Sequence, residues 1–228
     1  EHLVDVVLGL EGDRDHSFRL LRAQKNRFGS TQEVGVFNME AAGLSGVANP
    51  SELFLAERSA GSPGSCIVPI LEGTRPMLVE VQSLIATAAY GVPRRTCMGI
   101  EDGRVALLLA VLDRRSDVDL LSRDVYVNVA GGVRVSEPAA DLALCLAVAS
   151  SRLDIPIGSD VAVCGEVGLG GEVRRVTGVD LRINEAARLG FRRILVPAPA
   201  PEHTKEKNCE LVPISNVADA VAWLRSTV

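Results

Sequence analysis

The run Asp124–Ser151, DVYVNVAGGVRVSEPAADLALCLAVASS, leaves few folds open. Val125, Val127 and Val129 alternate with Tyr126, Asn128 and Ala130, the period of a β-strand, and Gly131-Gly132 ends it. Ser136-Glu137-Pro138 then predicts a helix start. Proline suits the first helical position because no N–H is needed there, and a glutamate beside it favours the positive end of the helix dipole. The predicted helix, Ala139–Ala149, is apolar almost all round apart from Asp141, so it belongs in a core.

The chain has 228 residues, 47% of them hydrophobic, enough for one large or two modest domains and too apolar for a disordered chain. No apolar run reaches the roughly 18–20 residues that span a bilayer, and no signal peptide opens the chain. The opening EHLVDVVLGLEG has no initiator methionine and runs straight into a strand, which predicts part of a longer protein. The five cysteines, Cys66, Cys97, Cys145, Cys164 and Cys209, are scattered and odd in number. They predict buried free thiols in a reducing cytoplasm rather than a disulfide or metal site. Net charge is −5, which does not advertise nucleic-acid binding but leaves room for a local basic patch.

In order along the chain, strands are predicted at Val4–Glu11, Ser17–Gln24 and Glu33–Met39, the first two joined by a charged turn through His16. They read as the closing edge of a sheet. Met39–Arg58 predicts a loop and a short helix starting at Asn49-Pro50-Ser51. The small residues SAGSPGS, Ser59–Ser65, predict a domain boundary, with a linker at 59–64 between 1–58 and 65–228. Strands follow at Cys66–Leu71 and Met77–Leu84 around a Glu72–Pro76 turn. A helix at Arg104–Leu112, with Asp102 as its cap, buries Leu107, Leu108, Val111 and Leu112. Beyond the organising run come a strand at Val161–Cys164, a glycine hairpin at Glu166–Val176, a helix at Leu181–Leu189 and a strand at Arg193–Val196. Pro197–Lys207 reads as a loop. The last helix is capped by Asn216 and carries Trp223, for which core packing and interface burial both remain open.

Two motifs carry chemistry. Lys25-Asn26-Arg27-Phe28-Gly29 lies between strands, with Phe28 as its anchor; it is either a hairpin with solvated charges or a basic finger. Arginine pairs recur at Arg94-Arg95, Arg114-Arg115, Arg174-Arg175 and Arg192-Arg193, against only three lysines, Lys25, Lys205 and Lys207. They are either solvated ends of elements or phosphate contacts, which a planar guanidinium suits. No G-x-x-x-x-G-K-S/T occurs, and Gly165–Gly171 lacks the lysine and helix of a P-loop, so these residues are not expected to hydrolyse ATP unaided. His2, His16 and His203 carry no ligand spacing. Ser136 is expected to cap the helix, and Glu166 to hold the hairpin.

VNVAGGVRVSEPAADLA followed by GEVGLGGEVRRVTGVDLRINEAARLGFRRILVP resembles the proteolytic domain of the Lon family. There the helix start reads D-G-P-S-A-G, with the serine as nucleophile. Aligned on Pro138, that serine falls on Ala139; aligned on Gly165-Glu166, the partner lysine falls on Asp180. A methyl group cannot attack a carbonyl, and a carboxylate cannot replace an ammonium that must lose a proton to act as base. With KNRFG and Glu72-Gly73-Thr74-Arg75-Pro76, the pattern is similar to the RadA (Sms) family of bacterial DNA-repair ATPases, over nearly the whole chain.

The resemblance implies an α/β chain: the end of a RecA-like ATPase sheet, then a mixed α/β Lon protease-like domain (ribosomal protein S5 domain 2-like) without its catalytic dyad. It implies an ATP- and Mg-dependent hexameric motor that binds single-stranded or branched DNA and promotes branch migration with the RecA recombinase. Neither ATP nor Mg would be held by this chain alone, and the family's zinc finger is not in it. Lys25 and Arg27 would reach ATP on the neighbouring subunit as fingers worth on the order of 10³–10⁵ in rate. Arg94, Arg95, Arg174 and Arg175 would grip DNA backbone around a ring. The other readings are a Lon-related serine peptidase with a displaced nucleophile, and a purely structural oligomerisation domain.

Overall fold

A computed structural model describes residues 3–12, 18–56, 58, 61–88, 92–201 and 209–227. The expected turn carrying His16, the linker residues 59 and 60, and the loop residues His203, Lys205 and Lys207 lie outside the described residues, as does His2. Near the start, period-two alternation builds an antiparallel sheet. Its strands are β1 (Val6–Glu11), β2 (Phe18–Asn26), β3 (Val34–Glu40) and β4 (Gly43–Gly46), in spatial order of sequence. Phe18, Leu20, Val34 and Val36 fill one face. β4 lies where a loop was expected. Its residues, Gly43, Leu44, Ser45 and Gly46, have no strand propensity to speak of, and only pairing to β3 (Phe37 opposite Gly46) extends them.

Helix α1 (Pro50–Leu55) follows, with Asn49 before its first-position proline, as the sequence predicts. Phe54 on α1 is buried and meets Phe18 edge-on, with ring centroids 5.1 Å apart. The chain then enters a seven-stranded sheet. β5 (Ser65–Glu72) and β6 (Arg75–Thr87) form a hairpin whose turn is only Gly73-Thr74, tighter than expected because Glu72 pairs directly with Arg75. β7 (Arg95–Met98), which the sequence reading left unassigned, is short and exposed, and exists by pairing parallel to β8. Between them runs α2 (Asp102–Ser116); β8 is Arg123–Val129. Glu101, not Asp102, is the residue before α2, and Leu107 is 47% exposed while Val105, Leu108, Leu109, Val111 and Leu112 are buried.

After β8 a short 3-10 turn, Pro138–Ala140, leads into α3 (Asp141–Leu153). The helix proper thus starts two residues later than expected, and no side chain caps it; Ser136 is exposed. Leu142 to Ala149 are all buried, as their unbroken apolarity requires. β9 (Val161–Val163), the hairpin β10 (Glu166–Val167) and β11 (Val173–Arg174), α4 (Val179–Arg188), β12 (Arg193–Pro197), β13 (Glu210–Ile214) and α5 (Val217–Arg225) complete the chain. Asn216 caps α5, its side chain accepting the Asp219 N–H at 2.9 Å. Trp223 packs half-buried on the core.

The large sheet runs β13-β12-β9-β5-β6-β8-β7 and is mixed. β13, β12, β9 and β5 are mutually parallel, β6 is antiparallel to β5 and β8, and β7 and β8 are parallel. α3 lies on one face with α2 and α5 against it; α4 and α1 lie on the other. Val79 and Val81 accordingly face the α3 side, and Leu78 with Ile67 faces Ile183 and Ala186 of α4. No helix of the described residues is long and apolar enough to cross a membrane.

The two sheets meet at the β5–β6 turn. Thr74 N donates to Gln32 O at 3.0 Å, and Arg75 donates to the carbonyls of Val34, Val47 and Ala48. Arg22 of β2 pairs with Glu72 of β5. Gly73 has φ +63°, and a Cβ there would collide with Gln32 O. The contact therefore needs glycine both for its backbone and for its space. Gly73→Ala is expected to lower unfolding free energy by about 1–3 kcal/mol, read as an earlier midpoint in urea titration followed by circular dichroism.

Candidate functional site

The strand–turn–helix run positions the first candidate site. β8 is followed by Gly131 and Gly132, at φ +75° and +67°, which turn the chain so that Glu137 approaches β5. Ala139 is 3% exposed; its carbonyl accepts Gly165 N at 2.9 Å, and Leu142 N donates to Gly165 O at 3.0 Å. The helix start and the β9–β10 link are thus clamped together. Asp180 is exposed in the first turn of α4.

Beside these two positions lies an ion pair that the sequence reading did not bring together, Arg182 with Glu137. Arg182 is 2% exposed. Its Nη1 and Nη2 donate to the two carboxylate oxygens of Glu137 at 2.7 and 2.6 Å. Nη1 also donates to Pro69 O at 2.7 Å, and Nε to Thr177 O at 3.0 Å. Glu137 Oε1 takes the Leu71 N–H as well, at 2.9 Å. This bidentate pair fixes β5, the helix start and α4 relative to one another. One signal was available in the sequence: Arg182 lies four residues before Ala186 and beside Ile183, on the apolar stripe of α4 where a charge needs a partner.

A cleft of about 580 Å³ opens at this helix start, between α2, β7 and the segment before Pro138. On its floor Asp141 holds Arg104: Arg104 Nε donates to Oδ1 at 2.9 Å and Nη2 to Oδ2, while Val167 N donates to Oδ2 at 3.0 Å. Burial holds the Asp141 carboxyl above its ordinary range, and the bonds from Arg104 and Val167 pull it back. Cys97 lines the cleft, but desolvation and its hydrogen bond to Asp102 push its thiol up to about 11. Burial likewise pushes Cys66 and Cys164 up to about 12 and Cys145 up. These thiols are protonated at neutral pH and are poor nucleophiles. Cys66, Cys145 and Cys164 are buried and free as expected; Cys97 and Cys209 are only half-buried. No cluster of metal-ligating side chains occurs among the described residues.

The KNRFG motif straddles the end of β2. Lys25 and Asn26 are still in the strand, and Arg27, Phe28 and Gly29 form the turn. Asn26 shapes it, its Oδ1 accepting Phe28 N at 3.0 Å and its Nδ2 donating to Ser30 O at 3.2 Å. Lys25 Nζ donates to Val4 O at 2.6 Å, and Arg27 Nη1 to Asp5 Oδ1 at 3.1 Å. Phe28 is 78% exposed, so it does not anchor the turn as expected; Asn26 shapes the turn instead. The Arg27 side chain is 74% exposed, and an ion pair so placed is cheap to break.

The arginine pairs fall on separate elements. Arg94 and Arg95 are exposed at the start of edge strand β7, Arg94 N donating to Asp124 Oδ1 at 2.8 Å. Arg174 and Arg175 are exposed at the end of the β10–β11 hairpin. Arg174 is already paired with Glu172, with Glu166 3.9 Å away across the hairpin, so its charge is partly neutralised. Glu166 thereby braces the hairpin as expected. Arg193 is engaged by Asp160 at 2.9 Å.

Arg182→Met leaves the half-buried Glu137 without its counter-charge and the Pro69 and Thr177 carbonyls without their donor, and is expected to cost about 3 kcal/mol. Arg182→Met with Glu137→Gln is expected to cost less than the two single changes together. Urea unfolding of the four proteins of that double-mutant cycle measures both.

The profile of the Lon protease (S16) C-terminal proteolytic domain matches residues 113–220, which run from α2 to α5 and include the helix start and the hairpin. The DNA repair protein RadA of Bacillus subtilis (strain 168) is 53% identical over 222 residues, covering 97% of this chain and 48% of that protein. The RadA protein of Halalkalibacterium halodurans is 50% identical over 97% of this chain and 49% of its own length. That of Streptococcus pyogenes serotype M3 is 51% identical over 88% of this chain and 44% of its own. The chain spans about half the length of the curated relatives it matches. With half of its residues shared along nearly all of its length, and a Lon-type domain within it, the chain belongs to the RadA family.

Proposed function

We propose that this chain acts in DNA repair as the scaffold and DNA-gripping portion of an ATP-driven motor, with a Lon-like domain that does not cut peptides. The observation that carries this is the helix start itself. At the nucleophile's position stands the buried methyl of Ala139, at the lysine's the exposed carboxylate of Asp180, and the space between is braced by the Glu137–Arg182 pair. A Lon-related peptidase with a displaced nucleophile finds little support: Ser136 is exposed outside the helix, and the thiols of Cys66, Cys97, Cys145 and Cys164 are held protonated. The DNA repair names of the relatives support the wider role.

In this reading residues 1–58 close a RecA-like ATPase sheet, 59–64 link, and 65–228 form a Lon-like domain of the ribosomal protein S5 domain 2-like type. ATP and Mg bind in the part of the motor outside this chain, and Lys25 and Arg27 reach them from the neighbouring subunit of a hexameric ring. The exposed turn at Arg27 and Phe28 supports such a reach. Arg94 and Arg95, with Arg175 and the partly neutralised Arg174, meet single-stranded or branched DNA through its backbone. The motor promotes branch migration beside the RecA recombinase in the cytoplasm.

Light scattering with and without duplex DNA, at low and moderate salt, tests the scaffold. A hexamer-sized particle that binds DNA and releases it as salt rises is expected, because phosphate contacts release counterions. Arg94→Ala with Arg95→Ala is expected to weaken binding and flatten the salt dependence. A monomer without DNA affinity overturns the ring-scaffold reading. Ala139→Ser is expected to leave the chain unreactive toward a fluorophosphonate probe, because a serine there is buried and a carboxylate, Asp180, stands at the lysine's place.

A further inference from the structure

On the face away from α3, the large sheet is covered only in part. Helices α1 and α4 pack on β5 and β6, which leaves β7, β8 and the far half of β6 open. Register sets two rows of side chains there: Leu84, Tyr126 and Thr96 in one, Gln82, Asn128 and Met98 in the other. Leu84 and Met98 are 62% and 60% exposed, and Tyr126 stands exposed between them. No charge lies in either row. The carboxylates of neighbouring positions are buried and bonded, Asp124 by Arg94 N and Glu80 by Ser65 and Gln82. Arg94 marks one corner. An apolar centre with a polar border is the anatomy of a protein interface.

The outward side of the helix layer carries a second exposed surface. Gly103, Ala106, Leu107 and Ala110 share one face of α2 at spacings of three and four. The β10–β11 hairpin lies alongside: Arg104 Nη2 donates to Val167 O at 3.2 Å, and a Cβ on Gly171 would come within 3.1 Å of the Arg115 side chain. Gly168 N donates to Glu172 O and Gly171 N to Gly168 O, both at 2.9 Å, so the tip is closed and holds Leu169 out in solvent. Leu107 and Leu169 thus crown a ridge. The charges beside it, Arg104 and Glu172, are taken up by Asp141 and Arg174. Glu101 and Asp102 border one end of it, Arg114 and Arg115 the other.

Patch and ridge lie on opposite sides of the sheet, so one copy cannot bring its own pair together. A second copy offers both. Patch against ridge is a head-to-tail contact, which repeats from copy to copy and closes into a ring when the rotation allows. We propose that the ridge of Leu107 and Leu169 on one copy docks on the Leu84, Tyr126 and Met98 patch of the next. The proposal rests on the ring-scaffold reading and names the two surfaces that build the ring. Arg94 and Arg95 stay at the border of each seam, outside its apolar centre, where they are left to DNA.

Light scattering of the whole chain over a range of concentrations tests this. Leu84→Glu with Met98→Glu spoils the patch, and Leu107→Glu with Leu169→Glu spoils the ridge. All four sites are exposed, so both variants are expected to keep the parent's melting temperature. Each alone is expected to be a monomer, its self-association weakened about a hundredfold. Mixed in equal amounts, they are expected to form a dimer with one copy of each, because one variant keeps the ridge and the other the patch. Either variant holding the parent's mass, or a mixture that stays monomeric, overturns this pairing of surfaces and leaves the ring reading standing. A parent chain that is itself monomeric up to about 1 mM overturns both.

Discussion

A guanidinium taken almost wholly out of water must find acceptors for its donors, and Arg182 finds them on three elements. Glu137 comes from the helix start, the Pro69 carbonyl from β5 and the Thr177 carbonyl from the approach to α4. Leu71 N then completes Glu137. Each partner is required by the others, since a buried ion pair tolerates the loss of neither member. This network fixes the start of α3 against β5 and α4, while the buried apolar run Leu142–Ala149 holds the rest of the helix on the large sheet. At this helix start the two charges of the pair are spent on each other.

The smaller sheet hangs on the same hairpin by different means. Its β2 strand presents Arg22 to Glu72 at one point and ends in the KNRFG turn at another. Thr74 and Arg75 bond the carbonyls that the smaller sheet leaves over. A rigid strand thus joins an exposed basic turn to the frame that holds the cleft.

The basic residues are sorted by their neighbours more than by their number. Arg104, Arg182, Arg193 and, in part, Arg174 are tied to carboxylates of this chain, while Arg94, Arg95 and Arg175 project into solvent. Counting arginine pairs in the sequence gave them equal weight. The structure divides them into internal braces and surface charges, and only surface charges are placed to meet another molecule.

Much was legible in residue order alone. Period-two valines, a glycine pair and an unbroken apolar helix dictated β8, its turn and α3, because local sterics and burial of one face act over a few residues. Asn216 and Pro50 marked their helix starts for the same reason. Ala139 and Asp180 settled that no nucleophile or amine stands at those positions, since that is a matter of side-chain chemistry. Tertiary structure alone decided β4 and β7, whose glycine-rich or short polar sequences become strands only when a neighbour offers its backbone. It decided that Phe28 is exposed and Leu107 turned outward. It also decided the Glu137–Arg182 and Asp141–Arg104 pairs, which join residues 45 and 37 apart. Charge pairing over such separations depends on which elements the core brings together, and that is a property of the whole packed chain.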